Sequence, residues 1–261
     1  MRQAALVRRS TRIAGRTLVV LGMAACAEGP TLIQGDCATV HGSEICTWGE
    51  RLGDQVVAFG ATIPVGAVEN APADTPMSWP PVANARIALP AAVTTATGFT
   101  LLTVFWEAHG HPPGPYLTPH FDFHFYGISA EQVDAIDCVD LGKPAELAAG
   151  YELPDVSIPE IGDLIGLCVP TMGMHSLPGD QLRSSELFEK TMVVGYDRGR
   201  PIFIEPMITA ETLRRRQSFT VDLPTVPGWP AEQRYPTSFH AEYDSVGQMH
   251  RFVFSVGATT P

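Results

Sequence analysis

The sequence predicts a mainly β protein, an antiparallel β-barrel or sandwich with one or two short helices. Three observations predict it. Proline and glycine, 23 and 24 of 261 residues, interrupt the chain at short intervals, which suits short strands and turns better than long helices. Apolar, β-branched and aromatic stretches recur between these breaks, at 54–61, 84–89, 99–106, 190–196, 201–205, 218–223, 239–243 and 249–256. From His120 to Tyr126, H-F-D-F-H-F-Y, the side chains alternate strictly between two faces, the period of a strand.

Taken in order, the first 25 residues hold Arg2, Arg8, Arg9, Arg12 and Arg16, no acid, and then an apolar run from Thr17. This is the pattern of an export signal, since the run is shorter than the roughly 20 residues of a membrane-spanning helix. It ends in Met23-Ala24-Ala25-Cys26, which resembles a lipobox. The expectation is that Cys26 carries a lipid, so that the mature protein is tethered to a membrane, in the periplasm or at the cell surface. Plain secretion after Ala25 is the alternative. Cys37, Cys46, Cys138 and Cys168 then remain, an even number in an exported chain, and local pairing favours Cys37–Cys46 and Cys138–Cys168. Residues 26–50 read as a tether and an irregular, disulfide-closed leader, and 51–261 as a single β-rich domain.

Within that domain, Ser129-Ala-Glu-Gln132 is a capping box that should start a short helix running to about Ile136. Thr209 can cap a second helical turn through Arg216. Asp197-Arg-Gly-Arg200 is a hairpin turn between two apolar runs, and 140–160 is rich in loops. Loss of five arginines with the signal takes the formal charge from −11 to −16. Nucleic acid, which needs a basic face, is thereby disfavoured as a partner, and cations are attracted.

The chemistry concentrates between Trp106 and Tyr126, which hold four of the eight histidines. Phe121, Phe123 and Phe125 point to one side of the strand and should enter the core. His120, Asp122 and His124 point to the other, where an unpartnered buried polar group costs about 1–3 kcal/mol, so this face must meet water, partners or a metal. Residues two apart on a strand are about 6.6–6.8 Å apart, which leaves His120 and His124 too distant for one ion. His109 and His111 form an H-x-H pair that converges if the backbone is extended. A transition metal site, zinc or copper, would take that pair with one or two groups of the 120–124 strand. His175, aimed by Gly173, and Glu205, at a strand end before Pro206, would complete it. Met172 and Met174 are soft enough for copper(I) but fill cores more often.

Three segments carry a resemblance: H-G-H-P-P-G-P-Y-x-x-P-H-F-D-F-H-F-Y at 109–126, V-P-T-M-G-M-H at 169–175 and F-I-E-P-M-I-T at 203–209, with Tyr235-Pro236-Thr237 after them. From about Gly53 to Val256 the chain resembles an uncharacterised bacterial family of exported proteins, a domain of unknown function named after a Thermus protein under sigma-E control. The resemblance implies a mostly β extracytoplasmic domain, with homo-oligomerisation open, and implies no activity, substrate or cofactor.

No G-x-S-x-G, no G-x-G-x-x-G and no Walker loop occurs. Two readings therefore compete. One is an exported β domain that binds a metal at the histidine cluster. The other is a module without metal, whose His-Asp-His-Tyr face binds an unidentified small ligand or supports a homo-oligomer.

Overall fold

The computed structural model describes residues 29–76 and 78–257; the expected signal at 1–25 and the lipid-bearing Cys26 lie outside them. Three consecutive strands come first, β1 (Thr31–Val40), β2 (Ser43–Leu52) and β3 (Gln55–Pro64), followed by α1 (Val65–Glu69). Next are β4 (Ala85–Ala88), α2 (Ala91–Thr97), β5 (Leu101–Glu107), β6 (His120–Tyr126) and α3 (Ala130–Asp134). Short strands β7 (Tyr151–Glu152), β8 (Val156–Ile158) and β9 (Gly162–Leu164) lead to β10 (Met174–Pro178) and α4 (Gly179–Leu182). A long hairpin, β11 (Lys190–Asp197) and β12 (Arg200–Thr209), is followed by α5 (Ala210–Arg214). The last strands are β13 (Phe219–Val221), β14 (Ser238–Asp244) and β15 (Met249–Ser255).

These strands build two antiparallel sheets, six strands in the order β1-β2-β3-β15-β14-β13 and seven in the order β4-β5-β6-β12-β11-β10-β7; β8 and β9 pair separately. Neither order returns to its start. The molecule is thus a sandwich, and the barrel alternative falls. The alternation of β6 places its phenylalanines between the sheets, where Phe123 meets Phe252 at 5.0 Å between ring centroids and Phe125 meets Phe254 at 4.9 Å. Phe59, Phe121, Phe123, Phe125, Phe252 and Phe254 are all fully buried in this core, each side chain contributing about 1.5–3 kcal/mol by its removal from water.

Two expectations need correction. Residues 31–40 and 43–52, read as an irregular leader, are full-length strands of the six-stranded sheet. They escaped notice because β1 is an edge strand with most side chains exposed, and a bulge between Gln34 and Cys37 breaks its alternation. The described residues also hold five short helices instead of one or two. The two expected, α3 and α5, do start at Ser129 and Thr209, whose side chains accept from Gln132 N–H and Thr212 N–H. The other three follow Pro64, Pro90 and Pro178 and have no side-chain cap, so the hydroxyl or carboxylate that marks a helix start is missing from them.

Both disulfides form as expected. Cys37–Cys46 joins paired positions of β1 and β2, and Cys138–Cys168 ties the segment after α3 to the segment before β10. Two such bonds fit an oxidising compartment.

Candidate metal centre

Strand register decides which side chains share the outer face of the seven-stranded sheet. Glu107 and Phe105 of β5 stand opposite His120 and Asp122, and Met207 and Thr209 of β12 stand opposite Asp122 and His120 on the other side. Directly opposed residues point the same way, so Glu107, His120 and Asp122 share that face with Met207 and Thr209. Glu205 pairs with Val193 of β11, and His175 of β10 with Gly195. Gly195 has no freedom to be larger: a Cβ there would lie 1.8 Å from the Phe203 ring, which packs against His124 at 4.7 Å and His175 at 5.2 Å. Gly173, as expected, takes a positive φ of 112° just before β10, where few side chains could follow it. His120, Asp122, His124, His175 and Glu205 are all buried, beneath the segment that runs from Ile158 to Met172.

The buried groups sort into two sets of three. His111, His120 and Asp122 hold their ligand atoms within 4.8 Å of one another, and so do His124, His175 and Glu205. In the first set, His120 Nδ1 is 2.7 Å from the Thr118 carbonyl and His111 Nδ1 is 2.9 Å from the Pro112 carbonyl. A carbonyl only accepts, so both Nδ1 atoms carry hydrogen and each neutral ring keeps its lone pair on Nε2. Those Nε2 atoms face the carboxylate, His111 at 3.6 Å from Oδ2 and His120 at 3.2 Å from Oδ1. His120 Nε2 and Asp122 Oδ1 nevertheless find no hydrogen-bond partner among the described residues. A lone pair turned on a carboxylate is repulsive, and only a proton or a metal ion between them makes the arrangement favourable.

Electrostatics in this set follows the carboxylate. Burial opposes charge on Asp122, but His120 and His111 outweigh it and hold the carboxyl well below the usual range. Burial likewise opposes charge on His111, yet Asp122 and Glu107 raise it to about 9. Burial and the Asp122 charge push Glu107 up to about 7.

The second set is drier. His175 Nδ1 donates to the Leu167 carbonyl at 3.0 Å, which leaves its Nε2 lone pair 3.4 Å from His124 Nε2; that atom is also 3.4 Å from Glu205 Oε2. Nitrogen and oxygen donors about 2.0–2.2 Å from a tetrahedral ion stand about 3.3–3.5 Å apart, so the observed spacing is that of a coordination edge. Glu205 Oε2 and His124 Nδ1 have no hydrogen-bond partner among the described residues. Burial drives His124 down to about 3, aided by His175, and His175 down to about 4. The same burial, with Asp122 and Glu107 nearby, raises Glu205 well above the usual carboxyl range.

Six of the seven residues expected at a metal site are therefore here, divided three and three instead of converging on one point. His109 is the exception. Gly110, with φ 69°, turns the chain between the two histidines, and a Cβ on it would lie 2.1 Å from the Tyr116 carbonyl. His109 consequently faces outward, its Nε2 2.9 Å from Asp74. Glu107 was missed, although β5 signals it: Thr103, Phe105 and Glu107 lie on one face, and the last stands opposite His120. Met174 and Met172 sit in apolar clusters, with Val194 and Tyr196 and with Phe105 and Val169 respectively.

Asp122, His111, His124, His175 and Glu205 open onto one cavity of about 260 Å³, which reaches the surface beside Trp79 and Val82. Comparison with protein-family models, curated proteins and solved structures finds no match, so the chemistry of the site rests on these atoms.

Proposed function

We propose that this protein is an exported, lipid-tethered member of the family its motifs resemble, and that it holds a transition metal, zinc or copper, in its two three-donor sets. The observation that carries the metal reading is geometric. Three of the four imidazoles, His111, His120 and His175, fix Nδ1–H on a backbone carbonyl and turn Nε2 toward a carboxylate or a second imidazole at 3.2–3.6 Å. That outer anchor with an inner free nitrogen is how ligating histidines are held, and two imidazoles with one carboxylate suit borderline metals. Three protein donors leave a coordination position open, as catalytic zinc sites do. The acidic balance, −11 overall, favours cation capture. Export rests on the arginine-rich signal pattern ending at Cys26 and on the two disulfides.

Elemental analysis of the mature protein, purified without chelator, tests the metal reading. Stoichiometric zinc or copper is expected, surviving desalting. Protein that carries no metal and takes up none on dialysis against either ion sinks it. Mass spectrometry of the membrane fraction tests the tether, and an unmodified Cys26 in wholly soluble protein refutes it.

A further inference from the structure

The wall opposite the donors is apolar. Ile158, Ile161, Leu164, Leu167, Val169 and Met172 line the cavity from one segment, the β8–β9 hairpin and the turn after it, which the Cys138–Cys168 disulfide holds against the end of α3. The donors themselves occupy the sheet side, so any open coordination position faces this wall. Resting on the metal reading above, we propose that the cavity is a binding site for a small monoanion with an apolar body, its anionic head on the metal and its body against the hairpin.

Three features set those terms. Size comes first: about 260 Å³ is below the range of about 300–1,000 Å³ that encloses drug-sized ligands, so the occupant is smaller than these. Sign comes second. Two divalent ions against the carboxylates Asp122 and Glu205 leave an excess of positive charge on the sheet side, and one charge of that excess remains even with Glu107 ionised. An anion is therefore attracted here although the protein as a whole is acidic. Polarity comes third, because the six wall residues offer no side-chain hydrogen bond, and a polar body would lose its water without replacement. Entry is open beside Trp79 and Val82, both exposed at the rim.

The test loads metal-free protein with Co²⁺, a visible stand-in for zinc, and titrates it with benzoate and with acetate, which share a head and differ in body. Benzoate is expected to perturb the cobalt spectrum and to bind at least about tenfold more tightly than acetate, the gain from burying about two methylene equivalents. Binding to metal-free protein should be at least about tenfold weaker, as the head then has no ion to meet. Ile161→Asn, at a half-buried wall position, should keep its cobalt and lose the preference for benzoate; if that variant does not fold, the wild-type comparison still decides. Equal affinity for the two anions, or equal benzoate binding with and without cobalt, overturns the proposal and leaves the metal reading standing. Protein that retains no cobalt overturns the proposal as well, and the metal reading then falls only if zinc and copper are both refused on dialysis.

Discussion

The two donor sets have the same composition, two imidazoles and a carboxylate, and opposite charge states. His111, Asp122 and His120 stand beside a partly exposed ring: the His111 side chain keeps 33% of its surface, and the set resolves its repulsion by ionising, with Asp122 an anion and His111 raised to about 9. His124, His175 and Glu205 have almost no exposure and resolve it by neutrality, with both imidazoles pushed down and the carboxyl pushed up. Burial acts on both carboxyls, but His120 and His111 outweigh it at Asp122 whereas Asp122 and Glu107 add to it at Glu205, so the neighbours of an identical ligand set decide its protonation. In either set an incoming ion must displace a proton, from an imidazolium in the first and from a carboxyl in the second.

The largest effect should come from removing two donors from one set. His111→Ala with His120→Ala, and separately His124→Ala with His175→Ala, should each halve the bound metal, since each leaves the other set intact. Metal analysis of both double variants checks this. Complete loss from either one would mean a single shared site and would end the distinction between the sets.

Next in size is the effect of the carboxylates on the metal-free fold. Asp122→Asn removes the buried anion that balances the half-buried His111 imidazolium and should destabilise by about 3 kcal/mol, the lower end for breaking a buried pair. Glu205→Gln replaces a carboxyl already held neutral and should change stability by less than about 1 kcal/mol. Denaturant unfolding in the presence of chelator gives both values. Equal losses would show that the second carboxyl is charged after all.

Smaller, and opposite in sign between the sets, is the dependence on pH. His124 and His175 titrate at about 3 and about 4 when folded, against 6.5 for an ordinary histidine. Their folded pKa values are depressed, so their contribution is present above pH 6.5 and is lost as pH falls from 6.5 toward those values. His111 is raised to about 9, so its contribution is present below pH 6.5 and is lost as pH rises from 6.5 through 9. Relative to wild type, the deficit of His175→Gln should therefore shrink toward acid, and that of His111→Gln should shrink toward alkali. Unfolding of metal-free protein between about pH 4.5 and 9.5 measures both slopes. Slopes of the same sign would refute the assignment.

How much of this was legible follows from where each signal lies. The period of β6 is local, so the phenylalanine face, the histidine face and the separation of His120 from His124 all read directly from seven residues. Disulfide pairing and the caps of α3 and α5 are equally local. The partition of six ligands into two sets is not, because it depends on the register of β12 against β6, whose partners lie 77 to 89 positions apart, and of β10 against β11, whose partners lie 18 to 22 apart. Burial was illegible for the same reason. The outer face of β6 looks like a face for solvent until the 158–172 segment, distant in the chain, closes over it.

The smallest expected effect tests the limit of that local reading. An H-x-H pair chelates only if the backbone between the histidines is extended, which places both rings on one side. Here β5 ends at Glu107 and Gly110 takes φ 69°, so the residues on either side of it diverge. His109 keeps 68% of its side chain exposed against an Asp74 that is 87% exposed, and an ion pair in that setting contributes about 0–1 kcal/mol. His109→Ala should leave metal content unchanged and shift stability by less than about 1 kcal/mol, whereas His111→Ala, two residues on, should weaken metal retention by more than about tenfold, since losing a ligand costs at least as much as losing its outer partner. Parallel metal titrations of the two variants separate them. If His109→Ala loses metal as His111→Ala does, the loop closes on the ion when metal binds, and His109 is a ligand that the metal-free arrangement holds in reserve.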